Sequence, residues 1–247
     1  MSSDGLVQTD DVTTAQWIAP RLGAFGSGVH GVIPAGFEAY ARILHPAESD
    51  AGELARWSEV AAACGKVAHP LMQFHTLVGV VPTEYEVDSA QWTGTVPDNG
   101  NLEPESLAAL VDVLARHTAP QRCWFCLWDG YGSPFGTQRS TGDEAPRINF
   151  DARVELPQRN YVLFAGSLEA ALEIGHWPTK NWFLPHSPNI CWPDDVSWCV
   201  ATEVDLFCTY VGGSRALIDE LLAAERLEVW AAHLEDPVAY DSDALNS

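Results

Sequence analysis

The chain reads as one α+β domain: a mixed, largely antiparallel sheet with three to four helices packed on it. Three observations predict this. Short β-branched or aromatic runs recur at 37–44, 122–128, 160–166 and 198–211. Two stretches, 104–117 and 215–222, carry apolar residues at helical spacing. Glycine and serine punctuate the joins between strand-like and helix-like segments. With 247 residues, 47% of them hydrophobic, the chain can bury one sizeable core. The expected organisation is a mobile N-terminal segment at 1–20, a single α+β domain at 21–235 and an acidic C-terminal tail at 236–247.

The elements follow in order. Residues 37–44 alternate, with Phe37, Ala39, Ala41 and Ile43 on one face and Glu38, Tyr40 and Arg42 on the other, so a strand is expected. Ser49 or Asp50 caps a helix over 52–63, with Leu54, Trp57 and Val60 on one side and Gly65 as its stop. Residues 67–82 are apolar and fit strand or loop, whereas 83–103 are polar and turn-rich, with a breaker at 97–100. Pro104 opens a helix to about residue 117 whose buried stripe is Leu107, Leu110, Val111 and Leu114. The run CWFCLW is short and apolar throughout, which predicts a strand buried on both faces. Long loops are expected at 129–149 and 176–193, either side of a strand at 160–166 and a helix capped by Ser167. Residues 187–222 hold a WPDD turn, one long strand from Trp198, a glycine turn and a helix capped by Ser214. That strand is expected at the centre of the sheet. A last strand falls near 227–232.

Charge narrows the partners. There are 34 acids against 13 bases, a net charge of -21. Nucleic-acid affinity comes from Lys and Arg neutralising phosphates, so a nucleic acid is excluded as a partner, and an anionic membrane surface for the same reason. The acidity reads first as solubility; a cationic ligand, a basic protein or a metal is the sharper reading. No apolar run approaches the ~20 residues of a membrane helix. The N-terminus carries acids where a signal peptide needs bases, which predicts a cytoplasmic protein with its six cysteines as thiols.

Several constellations bear on chemistry. Cys123 and Cys126 have CxxC spacing but no second ligand pair. On a strand, i and i+3 point to opposite faces, so the two are read as core thiols, and neither a metal nor a cofactor is expected. On one continuous strand, Glu203 and Asp205 project the same way about 7 Å apart. Such a pair can divide acid and base roles, hold a cation or meet an arginine. His186 and Asp195 are the candidates to assist it, with the 129–149 loop as a lid. Gly212, Gly213, Ser214 and Arg215 stand before a helix, where free N–H groups can hold an anion. Trp128, Asp129, Trp182 and Trp192 on Pro/Gly-rich loops are candidate ligand contacts.

Two blocks, RCWFCLWDGYG at 122–132 and the stretch 187–214 with WCVATEVDL and TYVGGS, resemble a family of uncharacterised actinobacterial proteins. The resemblance implies no activity. The expected function is a cytoplasmic binding or protein-interaction domain of the immunity or regulatory type, taking a protein partner or a small polar ligand. The alternative is a hydrolase acting on a small polar or sugar-like substrate through the Glu203/Asp205 pair, possibly metal-assisted.

Overall fold

The computed structural model describes residues 5–79, 86–89, 91–131, 148–157, 159–179 and 181–247. Its centre is one antiparallel sheet. The strands are β1 (Val7–Thr9), β2 (Ala39–Leu44), β3 (Cys123–Trp128), β4 (Val154–Glu155), β5 (Asn160–Gly166), β6 (Ile190–Pro193), β7 (Cys199–Thr202), β8 (Cys208–Gly213) and β9 (Val229–Ala232). Their spatial order is β1-β5-β3-β6-β7-β8-β2-β9, with β4 also paired to β5. Every strand pairing among the described residues is antiparallel, so the parallel component expected of a mixed sheet is not seen there.

Both faces of the sheet are covered. On one, α3 (Pro104–Arg116) and α4 (Arg215–Leu222) pack over Ala41, Ile43, Phe125, Val200 and Val211. On the other, α1 (Trp57–Ala63), α2 (Phe74–Val78) and the N-terminal segment cover Tyr40, Leu163, Trp192 and Tyr210. Double burial explains why the strands read as continuous apolar runs, a pattern more usual for parallel sheets. Four α-helices and five short 3₁₀ segments occur among the described residues, more helical pieces than expected. The stretch after Ser167 is one of the 3₁₀ segments, Leu168–Glu173.

The helix at 104–116 forms as its pattern predicts. Glu103 caps it by accepting from Ser106 N and Glu105 N, and all four stripe residues are buried. The helix expected over 52–63 is shorter. Ser49 and Glu53 instead close a turn between the two-residue strands Ala47–Glu48 and Leu54–Ala55, which leaves Leu54 exposed. The true N-cap is Arg56, whose backbone N–H donates to Glu59 Oε2 at 2.8 Å.

The stretch 187–222 is central, but the run from Trp198 is two strands and not one long strand. It is a meander of β6, β7 and β8 leading into α4. A turn at 203–207 folds it back, with Leu206 N donating to Glu203 O at 3.0 Å. Gly100 permits that turn. Its φ is +65°, and a Cβ there would sit 2.5 Å from Val204 Cα.

Both terminal segments pack against the domain. Within the segment expected to be mobile, β1 pairs with β5, and Ile18 is fully buried. The tail folds back on α2. Asp243 is buried and accepts from Thr76 Oγ1 (2.6 Å), Gln73 N (3.2 Å) and Asn246 N (3.0 Å), while pairing with His69 Nε2 at 2.8 Å. Burial opposes its charge, but hydrogen bonds from Thr76, Asn246 and Gln73 win and hold the carboxyl well below its usual range.

Candidate functional site

The expected site residues separate into two groups at opposite ends of the sheet. Glu203 and Asp205 follow β7, near the end of β3 that carries Trp128. The glycines stand at the other end of β7, where Gly212 pairs with Cys199, and Asp195 lies just before that strand, about 13 Å away at some 3.3 Å per residue.

At the first end, one guanidinium organises the charges. Arg159 Nε donates to Glu203 Oε1 at 2.7 Å, and its Nη2 donates to Asp205 Oδ2 at 2.6 Å. Glu203 and Asp205 are therefore two halves of one ion-pair network, set in a turn rather than along a strand face. Each carboxylate already commits an oxygen to the guanidinium, so the pair is built as an ion-pair network and not as two free groups facing a cleft. Arg159 also lies 5.0 Å from the Trp128 ring centroid. Tyr131 meets Trp128 edge-on at 5.2 Å, and His186 meets Tyr131 at 4.5 Å. His186 Nδ1 is 2.7 Å from Ser187 O, and burial pushes its pKa down, which favours the neutral ring donating to that carbonyl. Asp129 pairs with Arg153 at 3.0 Å. Trp128, Asp129, His186, Glu203 and Asp205 thus do come together, as a satisfied polar corner. Of the lid expected at 129–149, residues 132–147 lie outside the described residues.

The other end does not offer an anion site. Gly212 and Gly213 are the last residues of β8, paired with Tyr40 and Ala39. A Cβ on Gly212 would sit 2.7 Å from the Phe37 ring, so close packing explains that glycine. Ser214 Oγ accepts from Leu217 N, and Arg215 N already donates to Glu38 Oε2 at 3.0 Å. The chain's own carboxylate occupies the place an anion would take. Asp195 sits in an exposed turn, where it accepts from Ser197 N. Trp192 is fully buried, with Trp17 edge-on against it, and is a core residue. Trp182 is exposed on the hairpin that joins Gly175–Thr179 to Trp182–Pro185.

The CxxC reading holds in its structural form. Cys123 and Cys126 belong to the cores on opposite faces of the sheet, and burial pushes the Cys123 thiol up to about 12. Among the described residues, no group of three or more His, Cys, Asp or Glu is placed to hold a metal ion. No helix among them is long and apolar enough to cross a membrane.

A cavity with a buried charge in its wall lies elsewhere. It has a volume of about 310 Å³ and opens between β2, β8, the start of α2 and the returning tail. Register places Tyr210, Arg42 and Trp230 in one row across β8, β2 and β9. Arg42 and Tyr210 line the cavity with Cys208; Gln73 and His75 of α2 form one wall. The chain at 96–99 and the turn at 205–207 form another, and Val238 and Tyr240 close it from the tail. Tyr240 stacks on His75 with centroids 3.5 Å apart, and burial pushes the His75 pKa down.

Arg42 is the unusual member. It is 5% exposed, and a guanidinium stays charged in proteins. Nη1 donates to Pro70 O at 2.7 Å and to Met72 O at 3.1 Å. Both partners are neutral. Nε has no hydrogen-bond partner, and no carboxylate of the described residues forms an ion pair with this side chain. The Trp57 ring, 5.6 Å away, gives only partial relief. Behind this wall, His45 is fully buried. Its Nδ1 lies 2.7 Å from Asp98 O and its Nε2 2.9 Å from Thr209 Oγ1, which in turn meets Thr202 Oγ1 at 2.8 Å. The carbonyl demands a donor, so Nδ1 carries the proton and Nε2 accepts from Thr209. Burial pushes the His45 pKa down to about 4.

The cavity is not apparent in the sequence because it joins six segments distant along the chain. The available signal was Arg42 itself, a charge on an otherwise apolar strand. Comparisons of the chain with protein-family models, with curated proteins and with solved structures returned no match.

Proposed function

We propose that this chain is a cytoplasmic, non-enzymatic binding protein of the regulatory type that holds a small molecule in the Arg42 cavity. The observation that carries the reading is a buried, unpaired guanidinium lining a cavity of about 310 Å³. Taking a charge out of water costs several kcal/mol unless a counter-charge meets it, so a ligand that supplies one has a ready source of affinity. A cavity of this size is at the small end of ligand sites, roughly 300–1,000 Å³. The small ligand is favoured over a protein partner because the charge lies inside a concavity rather than on an open face. The hydrolase reading loses its basis, since Arg159 engages both carboxylates. The actinobacterial resemblance brings no activity to the question.

A fragment screen by protein-observed NMR tests the reading. Hits are expected to move the amides of Gln73, His75, Phe207 and Tyr210. Hits that move only residues around Trp128 and Arg159, or none at all, contradict it.

A further inference from the structure

We infer that the ligand of the Arg42 cavity is a small monocarboxylate with an aromatic or otherwise apolar body. The inference rests on the reading of this cavity as a ligand site and adds the chemistry of what enters. Three features of the cavity carry it.

The first is the state of the guanidinium. Its two carbonyl hydrogen bonds leave from Nη1, the Cys208 thiol stands beside the group, and Nε is unpartnered. The Nε side of an arginine presents parallel N–H groups, the arrangement that a planar carboxylate meets with two bonds. A neutral ligand leaves the buried charge uncompensated.

The second is the sign of the surroundings. Asp98 and Asp205 lie on the cavity wall; Arg159 already pairs with Asp205, and Arg42 is the one arginine among the lining residues. Asp98 is already strained electrostatically. Burial pushes its pKa up, an effect Asn101 opposes, and Glu103 and Glu48 add repulsion. The chain as a whole carries -21. One negative charge on the ligand is balanced by Arg42, while a second meets Asp98 and no further arginine in the lining. That selects a monoanion over a phosphate dianion.

The third is the rest of the lining. Trp57, Val96, Phe207, Val238 and Tyr240 offer rings and aliphatic groups to the part of the ligand that is not its head. Ligand sites of this kind fix orientation with a few polar groups and bind through apolar contact.

The test is a titration of the wild-type full chain, followed at the Arg42 Nε–H resonance and at the cavity amides. The probes are benzoate, benzyl alcohol and inorganic phosphate at fixed ionic strength. Benzoate is expected to shift the Arg42 Nε–H and to bind at least about tenfold tighter than either other probe. Arg42→Met is expected to remove that preference for benzoate. Phe207→Ala, which keeps the guanidinium and serves if Arg42→Met does not fold, is expected to weaken benzoate while its Arg42 shift persists. Benzyl alcohol binding as tightly as benzoate overturns the carboxylate assignment and leaves the cavity reading standing. Tighter phosphate binding overturns it too, as does benzoate that never moves Arg42. If neither benzoate nor benzyl alcohol moves any cavity amide, the cavity reading falls with it.

Discussion

Arg159 and Arg42 are both drawn into the protein, and they have opposite surroundings. Arg159 meets two carboxylates, Glu203 and Asp205, and an aromatic face. Arg42 is more deeply buried and meets two neutral carbonyls and an aromatic face, with the Asp243 carboxylate acting on it only through space. A charge that is fully paired has its energetics settled by the fold. A buried charge left unpaired raises the energy of the empty state, and an anion can lower it. Residue type alone pointed to the first arginine's partners as the site. Satisfaction of charge points to the second.

The comparison can be broken at several places. The largest expected effect is on the strap that shuts the Arg42 cavity. Asp243→Ala removes a buried carboxylate that accepts several hydrogen bonds and acts through space on Arg42. A loss of about 4 kcal/mol is expected in urea unfolding, in line with breaking a buried charged network. A change under about 1 kcal/mol would show the tail is not docked there.

Acidification comes next. His45 titrates near 6.5 unfolded and about 4 folded, so its contribution is complete above the unfolded value and is lost as pH falls toward 4. The expected loss is on the order of 3 kcal/mol across that window, read from urea midpoints at a series of pH values. His45→Gln is expected to flatten that part of the profile. A wild-type profile already flat between those values contradicts the buried neutral ring.

Arg159→Met is expected to cost about 2 kcal/mol, because it strands the half-buried Glu203 without its partner. Benzoate affinity is expected to be unchanged. A loss of binding comparable to that of Arg42→Met would erase the distinction between the two arginines. The smallest effect belongs to Asp205→Asn. Its side chain is 70% exposed, so its ion pair contributes about 0.5 kcal/mol or less.

Much of the fold was legible. The helix at 104–116 was written in the spacing of its leucines, the strand at 123–128 in an unbroken apolar run, and the start of α4 in Ser214. These are local signals, and local signals survive without tertiary information. The turn at 203–207 was not legible, because no glycine or proline marks it within the 198–211 run. Gly100, about a hundred residues earlier, supplies the space. The tail was missed for the same reason, since Asp243 finds its donors on α2. Of the candidate site, the sequence showed the alternation that puts Tyr40 and Arg42 on one face. That Arg42 goes unpaired depends on the residues around it in space, and those come from α2, the 96–99 chain, β8 and the tail.

In the proposed function, the unpaired arginine and not the paired one marks the ligand site. Crystals of the full chain soaked with 4-bromobenzoate test it most directly, because anomalous scattering from bromine locates the ring without bias. Bromine is expected inside the cavity bounded by Trp57, Phe207 and Tyr240, with the carboxylate against the Arg42 guanidinium. Bromine beside Arg159 and Trp128, with the Arg42 cavity empty, would contradict it.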